Sequence, residues 1–507
     1  MRACVLTGVR LRYHGQAMTG TLTRRGLLRG AALGAHCQSA GPPPNFIVIL
    51  ADDLGYGDLA CYGHPTHRTP HLDRMAREGA RFTDFYTPMA FCAPTRSSLL
   101  TGRYPFRTGM VANPAPDAGI NDLGLPAGEI TIAQALKPLG YVSLCIGKWH
   151  LGHTEEFLPR RRGFDEYYGI LYSNDMRPVQ IVHNERVVEY PVVQAYLTQK
   201  YTDKALAFIE QNRRRPFFLY LAHAMPHKPL AASEPFYTPE TPGDLYADVI
   251  GELDDSVGRI LARLRELGLE NQTLVLFTSD NGPWFGGSTG GLRGMKGNTW
   301  EGGVRVPLIA RWPGRIPPGR VSRQVAGIID LFPTLLGLAG ARLPADRVID
   351  GKDIFPLMSG DSPSPHEAIY AMAGPRLATI RSGRWKLHVR SPGPETRYLK
   401  DPSGWVDPRG PDGVTLIAPF EQPRPNQYPG LLSGDPPRHG MLFDLESDPG
   451  EQHDVASQHP EVVTRLKALF DKLEAEVPPP QPRKGGGPIR RLTGGQLRYD
   501  REPVRPR

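Results

Sequence analysis

The chain has 507 residues, room at roughly 100–200 residues per domain for one large enzyme domain with an accessory domain, or for two to four modules. Its formal charge of +8 suggests an acidic polymer or nucleic acid as partner, yet residues 1–40 carry six Arg and no acids, residues 478–507 carry eight bases against two acids, and the intervening body is left at about −4. No apolar run approaches the roughly 18–20 residues that span a bilayer, five cysteines in a chain this long cannot be a disulfide scaffold, and their spacing has no CxxC pair to suggest zinc.

In chain order, Thr23-Arg24-Arg25-Gly26-Leu27-Leu28-Arg29 with the weakly apolar stretch to Ala35 reads as a twin-arginine export leader over residues 1–40, Met18 being an alternative start. Export predicts a periplasmic or secreted protein. A basic N-terminus without a targeting role is the other reading, and it leaves the protein cytoplasmic. From residue 41 the body alternates short apolar β-type runs with segments of helical period, the pattern of a largely parallel sheet covered by helices. The run Phe46 to Ala51 leads straight into Asp52-Asp53, and Leu72, Met75, Ala76 and Gly79 mark a short helix. In Cys92-Ala93-Pro94-Thr95-Arg96 the proline suits a first helical turn, which puts Cys92 at a helix N-terminus whose free amides favour anions. A partly buried structural cysteine fits the same local chemistry. The run Tyr141 to Ile146 is followed by Gly147-Lys148-Trp149-His150, and Phe217 to Ala222 by His223 and then Pro226-His227. Leu245, Val249, Leu253, Val257, Ile260, Leu261 and Leu264 mark a long helix as core packing, after which Thr273 to Ser279 runs into Asp280-Asn281.

Ligands of open α/β sheets bind beyond the carboxyl ends of the strands, so these polar residues are expected to converge there. Asp52, Asp53, Asp280 and Asn281 are oxygen donors suited to a hard cation such as Ca²⁺ or Mg²⁺, or else ordinary loop and cap residues. Val325 to Ile329 predicts a further strand, with a helix to residue 338. Residues 360–477 predict a smaller antiparallel sheet with one helix. Its parts are a hairpin turning at Ser382-Gly383, a Pro- and Gly-rich loop over 391–436, a strand Met441 to Asp444 and a helix from Pro460 to about Glu476. Residues 478–507 read as a disordered basic tail. With the leader removed and Cys92 otherwise engaged, Cys61 and Cys145 are left as the one possible bridge.

The segment from Cys92 through Leu99-Leu100-Thr101-Gly102 resembles the C-x-P-x-R motif of the type I sulfatase family, in which the cysteine becomes formylglycine. The family's second signature is similar to Gly140 through His150. Three more blocks resemble the family: Ala51 through Asp58, Ser279-Asp280-Asn281-Gly282, and Met295-Lys296-Gly297-Asn298-Thr299 with Glu301-Gly302-Gly303. Leu442-Phe443-Asp444-Leu445 with Asp448-Pro449-Gly450-Glu451 is similar to its C-terminal region, so the likeness covers about residues 44–477. Thr95 stands where serine is commoner, and Tyr172-Ser173-Asn174-Asp175 resembles the arylsulfatase A branch.

The resemblance implies an α/β, alkaline-phosphatase-like sulfatase fold, with a catalytic domain over 41–359 and a C-terminal α+β subdomain over 360–477. The implied activity is hydrolysis of an aryl or carbohydrate sulfate ester by formylglycine made from Cys92, with Ca²⁺ rather than Mg²⁺ held by Asp52, Asp53, Asp280, Asn281 and the modified Cys92. Arg96 and Lys148 would fix the nucleophile, Lys296 and His227 would meet the departing oxygen, His150 would take a proton to expel sulfate, and Ser173 would touch the sulfate. The implied partners are the ester substrate and a formylglycine-generating enzyme, with neither nucleic acid nor a membrane span. The rival readings are a phosphonate or phosphodiester hydrolase of the same fold, a non-catalytic sulfated-glycan-binding protein if Cys92 stays unmodified, and nucleic-acid binding by the basic tails.

Overall fold

The computed structural model describes residues 42–116, 119–176, 178–237, 244–393 and 427–479. The expected leader, nearly all of the basic tail and most of the 391–436 loop lie outside the described residues. The strands are β1 (Asn45–Ala51), β2 (Ala80–Tyr86), β3 (Val142–Gly147), β4 (Glu166–Gly169), β5 (Ile181–His183), β6 (Arg186–Glu189), β7 (Phe217–Ala222) and β8 (Thr273–Ser279). They continue with β9 (Arg305–Arg311), β10 (Arg320–Ser322), β11 (Ala326–Gly327), β12 (Ile369–Ala373), β13 (Arg376–Ser382), β14 (Trp385–His388) and β15 (Met441–Asp444).

The large sheet runs β10-β2-β9-β8-β1-β7-β3-β4-β5-β6, with β11 also on β2. Its centre, β8-β1-β7-β3-β4, is parallel. A parallel strand must be covered on both faces, which is why these runs are apolar throughout instead of alternating. Successive side chains still point to opposite faces. Phe46, Val48 and Leu50 enter a core with the helices Cys92–Thr101 and Leu331–Ala339. Ile47, Ile49 and Ala51 enter a second core with the helices Pro70–Arg77, Leu197–Gln211 and Leu245–Glu266. The seven apolar residues expected to face the sheet from Leu245–Glu266 are all buried, each stabilising by about 1.5–3 kcal/mol relative to exposure.

The strand ends are level: Ala51 pairs with Ser279, Leu50 with Ala222, and Ala222 with Gly147. Gly147 has φ 93°, and a Cβ there would stand 1.8 Å from the carbonyl oxygen of Ala222. Only glycine lets β3 end so close to β7 and turn toward Lys148. The small sheet β12-β13-β14-β15 is antiparallel and packs Leu377, Ile380, Leu387 and Leu442 on Val462, Leu466 and Phe470 of the helix Pro460–Glu474.

Three expectations are corrected in detail. The strand at Val325 to Ile329 shrinks to Ala326–Gly327, because the Asp330 carboxylate accepts the Gly327 N–H at 2.7 Å and turns Ile328–Asp330 into a 3₁₀ helix. The hairpin turns at Gly383-Arg384, with Ser382 paired to Trp385 and Gly383 at φ 57°. In the large sheet, β5 and β6 form a hairpin through Asn184 at φ 57°. Cys61 and Cys145 are free thiols: Cys145 points into the first core and Cys61 lies against the second, on the other side of the sheet. Among the described residues no helix is long and apolar enough to cross a membrane.

Candidate active site

The parallel strands deliver their polar sequels to one end of the sheet, and backbone hydrogen bonds lock them there. Asp52 N–H donates to the Met225 carbonyl, Asp280 N–H to the Ala51 carbonyl and Lys148 N–H to the Ala222 carbonyl. Asp53 and His150 hold left-handed φ of 61° and 57°, uncommon for non-glycine residues and concentrated at functional positions.

Cys92 heads the helix Cys92–Thr101, all ten of whose side chains are buried. Its Sγ lies 3.4 Å from Asp52 Oδ1, 3.4 Å from Lys148 Nζ and 3.4 Å from Lys296 Nζ. One turn on, Arg96 Nε and Nη2 donate to Asp280 Oδ2 at 3.0 and 2.8 Å, and Nη1 donates to the Lys148 carbonyl at 2.6 Å. Lys148 Nζ sits 2.5 Å from Asp52 Oδ2 and donates to Ser173 Oγ at 3.1 Å. Lys296 Nζ spans Asp53 Oδ1 and Oδ2 at 2.6 and 2.8 Å. His227 Nε2 is 3.7 Å from Asp53 Oδ2, and its ring is 3.5 Å from Ser173 Oγ. The site residues expected from the sequence therefore gather at one buried strand-end region, with His150 two residues beyond Lys148 and bonded by Nε2 to the Pro114 carbonyl at 3.0 Å.

Three carboxylates (Asp52, Asp53, Asp280) face three cations (Arg96, Lys148, Lys296). Burial, reinforced by Asp52, raises the Asp280 pKa, and burial raises that of Asp53 against the pull of Lys296. Burial opposes the charge on Lys296, but Asp53, Cys92, Asp52 and Asp280 together outweigh it and hold the ammonium well above its usual range. Burial, with Asp52 beside it, pushes the Cys92 thiol up, so the unmodified residue is no thiolate nucleophile. Burial followed by Lys148 drives His150 well below the usual imidazole range, and burial followed by Lys296 does so for His227. Both rings are thus neutral, and carbonyls fix their tautomers. His150 donates from Nε2, leaving Nδ1 bare and without a hydrogen-bond partner; His227 donates from Nδ1 to the Lys228 carbonyl at 2.6 Å, leaving Nε2 bare.

Asp52, Asp53, Cys92 and His227 each offer a ligand atom, all within 4.8 Å of one another. Asn281 donates from Nδ2 to Asp53 Oδ1 at 2.7 Å, while its buried Oδ1 has no hydrogen-bond partner. An orphaned buried carbonyl beside three carboxylates fits an oxygen-liganded cation. A second group, Asp58, His64 and His67, differs. Asp58 accepts from Gly55 N–H, Ser288 N–H and Tyr246 O–H, His64 Nδ1 accepts the His67 N–H, and His67 Nδ1 donates to the Asp58 carbonyl, so these atoms secure a loop.

Several supporting residues carried no sequence signal. Asn113 Oδ1 accepts the Ala93 N–H at the helix head. Gln194 exchanges hydrogen bonds with Asn174, whose Nδ2 also reaches the His227 carbonyl at 3.4 Å. Asn174 lies in the Tyr172 to Asp175 stretch that resembles the arylsulfatase A branch, but nothing local marks Asn113 or Gln194. The Thr95 hydroxyl turns away from the cluster to the Met89 carbonyl at 2.8 Å, a bond that serine could make equally.

Residues 44–341 match the family described as Sulfatase, and residues 364–487 match the C-terminal region of aryl-sulfatase. The chain is 37% identical to the N-acetylgalactosamine-6-sulfatase of Canis lupus familiaris over 492 residues, covering 90% of each chain. It is 37% identical to arylsulfatase A of Homo sapiens over 486 residues, covering 88% of this chain and 90% of that one. Among solved structures it is similar to Ps i-CgsB in complex with k-i-k-neocarrahexaose, with a TM-score of 0.70 and 29% identity over 86% of this chain and 94% of the other. With its strand-end cluster in the order of the motifs, the chain belongs to the type I sulfatase family, on the arylsulfatase A-like side, and is a sulfatase enzyme.

Proposed function

We propose that this sulfatase cleaves an aryl or carbohydrate sulfate ester with Cys92 converted to formylglycine and one Ca²⁺ held by Asp52, Asp53, Asp280, Asn281 and the converted Cys92. The observation that carries the reading is the ring of Asp52, Lys148 and Lys296 at 3.4 Å around the Cys92 sulfur. The names of the relatives support both ester classes, one being an arylsulfatase and one acting on a 6-sulfated N-acetylgalactosamine. The oxygen-only donor set supports Ca²⁺ over Mg²⁺, which keeps most of its waters and is seldom caged by protein alone.

When bound, the cation supplies a Lewis acid for a sulfate oxygen, and the formylglycine supplies a hydrated aldehyde as nucleophile. Arg96 orients Asp280 and, through the Lys148 carbonyl, the strand end that carries Lys148. Lys148 Nζ holds an oxygen at the Cys92 position, and Ser173 Oγ, between Lys148 and His227, meets the sulfate. Lys296, which keeps its proton, gives it to the departing ester oxygen; His227 can join as an acid only after gaining a proton at Nε2. His150 Nδ1, bare and partnerless, takes the proton whose removal expels sulfate. Burial of all these groups excludes water, so each charge acts at full strength.

A formylglycine-generating enzyme is the maturation partner. On the twin-arginine route, which carries folded proteins, Cys92 would be converted before or during folding.

Mass spectrometry of the peptide containing Cys92, combined with turnover of an aryl sulfate and of the matching phosphodiester, tests the reading. The expected result is a converted Cys92, a preference for the sulfate ester, and complete loss of turnover in Cys92→Ala. An intact thiol in active material overturns the mechanism, and a strong phosphodiester preference overturns the substrate class.

A further inference from the structure

Outside the reaction cluster the protein buries a second charged group, whose position is not explained by stability. Glu301, Lys386, His388 and Glu451 are all within 2% of complete burial. Lys386 Nζ lies 2.9 Å from Glu301 Oε1 and 3.1 Å from Glu451 Oε1, and His388 Nε2 is 2.6 Å from Glu451 Oε1. Desolvating such charges costs several kcal/mol per ion, and apolar residues of similar volume often serve a fold as well. What this cluster does provide is a fixed geometry between two parts of the molecule. Glu301 lies next to the Met295 to Thr299 block, Lys386 and His388 lie on β14, and Glu451 follows β15 in the Asp448-Pro449-Gly450-Glu451 turn.

The segment between them, residues 292–301, carries Lys296 and is gripped at both ends. At its far end, Glu451 Oε2 accepts the Glu301 N–H at 2.5 Å, and Lys386 Nζ donates to the Thr299 carbonyl at 2.9 Å. At its near end, Arg293 Nη1 donates to the Glu451 carbonyl at 2.9 Å and Nη2 to the Asp435 carbonyl at 2.9 Å, with the guanidinium 3.8 Å above the Trp300 ring. The backbone joins in: Leu431 N–H donates to the Leu292 carbonyl, and Gly294 N–H to the Leu431 carbonyl. Glu451 therefore touches both ends of the segment, one with its carboxylate and one with its carbonyl. It holds a left-handed φ of 52° to do so, a conformation that a non-glycine residue keeps only when its surroundings impose it. Between the grips, Gly297 N–H donates to the carbonyl of Ala90, two residues before Cys92.

We propose that Glu451, with Arg293 and Lys386, positions Lys296 for the reaction, so that the C-terminal sheet is part of the catalytic apparatus. The proposal rests on the reading above, in which Lys296 protonates the departing oxygen. The lysine side chain is a long flexible stem, so the reach of Nζ to both Asp53 and Cys92 depends on where its backbone is held. A displacement of about 1 Å costs up to about 100-fold in rate. None of the three positioning residues needs to touch the substrate.

The test compares Glu451→Gln, which keeps size and one acceptor but removes the charge, with Arg293→Lys, which keeps the charge and loses the fork. Each is assayed on a series of aryl sulfates whose phenols range from acidic to weakly acidic, with thermal melting to establish that it is folded. If Lys296 is displaced, the loss grows as the leaving group worsens, from about 10-fold to about 100-fold in kcat, while KM changes less than about twofold. In a Lys296→Ala background the same substitutions should add less than about twofold. A loss of equal size for every leaving group, or one that persists undiminished in Lys296→Ala, overturns the proposal and leaves Glu451 a folding residue. Should Glu451→Gln not fold, Arg293→Lys decides alone. Wild-type turnover of the aryl sulfates is scored first, and a wild type that prefers phosphodiesters refutes the proposed function while the leaving-group comparison is run on that ester series.

Discussion

Arg96 shows how one side chain can join the buried carboxylates of Asp52 and Asp280 to a strand end. Its fork meets Asp280 with two nitrogens and reaches the Lys148 carbonyl with the third, while Nη2 also stands 3.4 Å from Asp52. A lysine is a point charge and cannot reproduce that plane. Arg96→Lys is expected to leave Asp280 or the Lys148 carbonyl unmet, to cost about 3–5 kcal/mol as the breaking of a buried pair does, and to lower turnover at least about 100-fold. Urea denaturation and steady-state kinetics measure the two losses, and wild-type turnover in the folded variant would refute the orienting role. The residue type and spacing of Arg96 were legible from the motif. That its partner would be Asp280, 184 residues away, was not, because no local pattern encodes a contact across the sheet.

The helix Leu245–Glu266 repeats the lesson for an element. Its apolar stripe was legible because 3.6-residue periodicity survives in the sequence. The same helix also buries Glu252, which accepts Ser233 N–H at 3.1 Å and Ser233 Oγ–H at 2.7 Å and so ties down the segment that follows His227. Burial raises the Glu252 pKa from 4.5 to about 7. Between these values the folded chain keeps a proton that the unfolded chain releases, so this residue's contribution to stability falls as pH rises through the window. The cost is absent below about 4.5 and complete above about 7, up to about 3 kcal/mol from the size of the shift. Glu252→Gln removes the titration. Relative to wild type it should gain about 1–3 kcal/mol in unfolding free energy between pH 4.5 and pH 8, read from urea melts at each pH; a pH-independent difference would refute the assignment.

For the whole molecule, the ends of β1 and β8 bring the carboxylates of Asp52, Asp53 and Asp280 together from distant parts of the chain. Folding that desolvates Asp53 and Asp280 together is opposed, and a cation bound only by the folded chain would offset it. Ca²⁺ at about 100 times its Kd is expected to add about 2.7 kcal/mol to unfolding free energy, seen as a rise in Tm after chelation and titration back. Asn281→Ala, which deletes the partnerless Oδ1, should weaken that rise. An unchanged Tm across the titration would refute the cation site.

The sequence alone determined the sheet-and-helix architecture, because burial on both faces makes a parallel strand apolar along its whole length and leaves its polar sequel conspicuous. It also marked the polar residues that the structure gathers at the strand ends, since their types and spacings after each apolar run are local. Only the tertiary structure decided the partnerships. Cys61 and Cys145 stay apart because the sheet lies between them, Asn113 joins the site from a loop and Gln194 from a one-turn 3₁₀ helix, neither marked by a sequence pattern, and Glu451 reaches the Lys296 segment across 155 positions of chain. Such contacts come from the packing of distant segments, which follows from strand order and register and from no local signal.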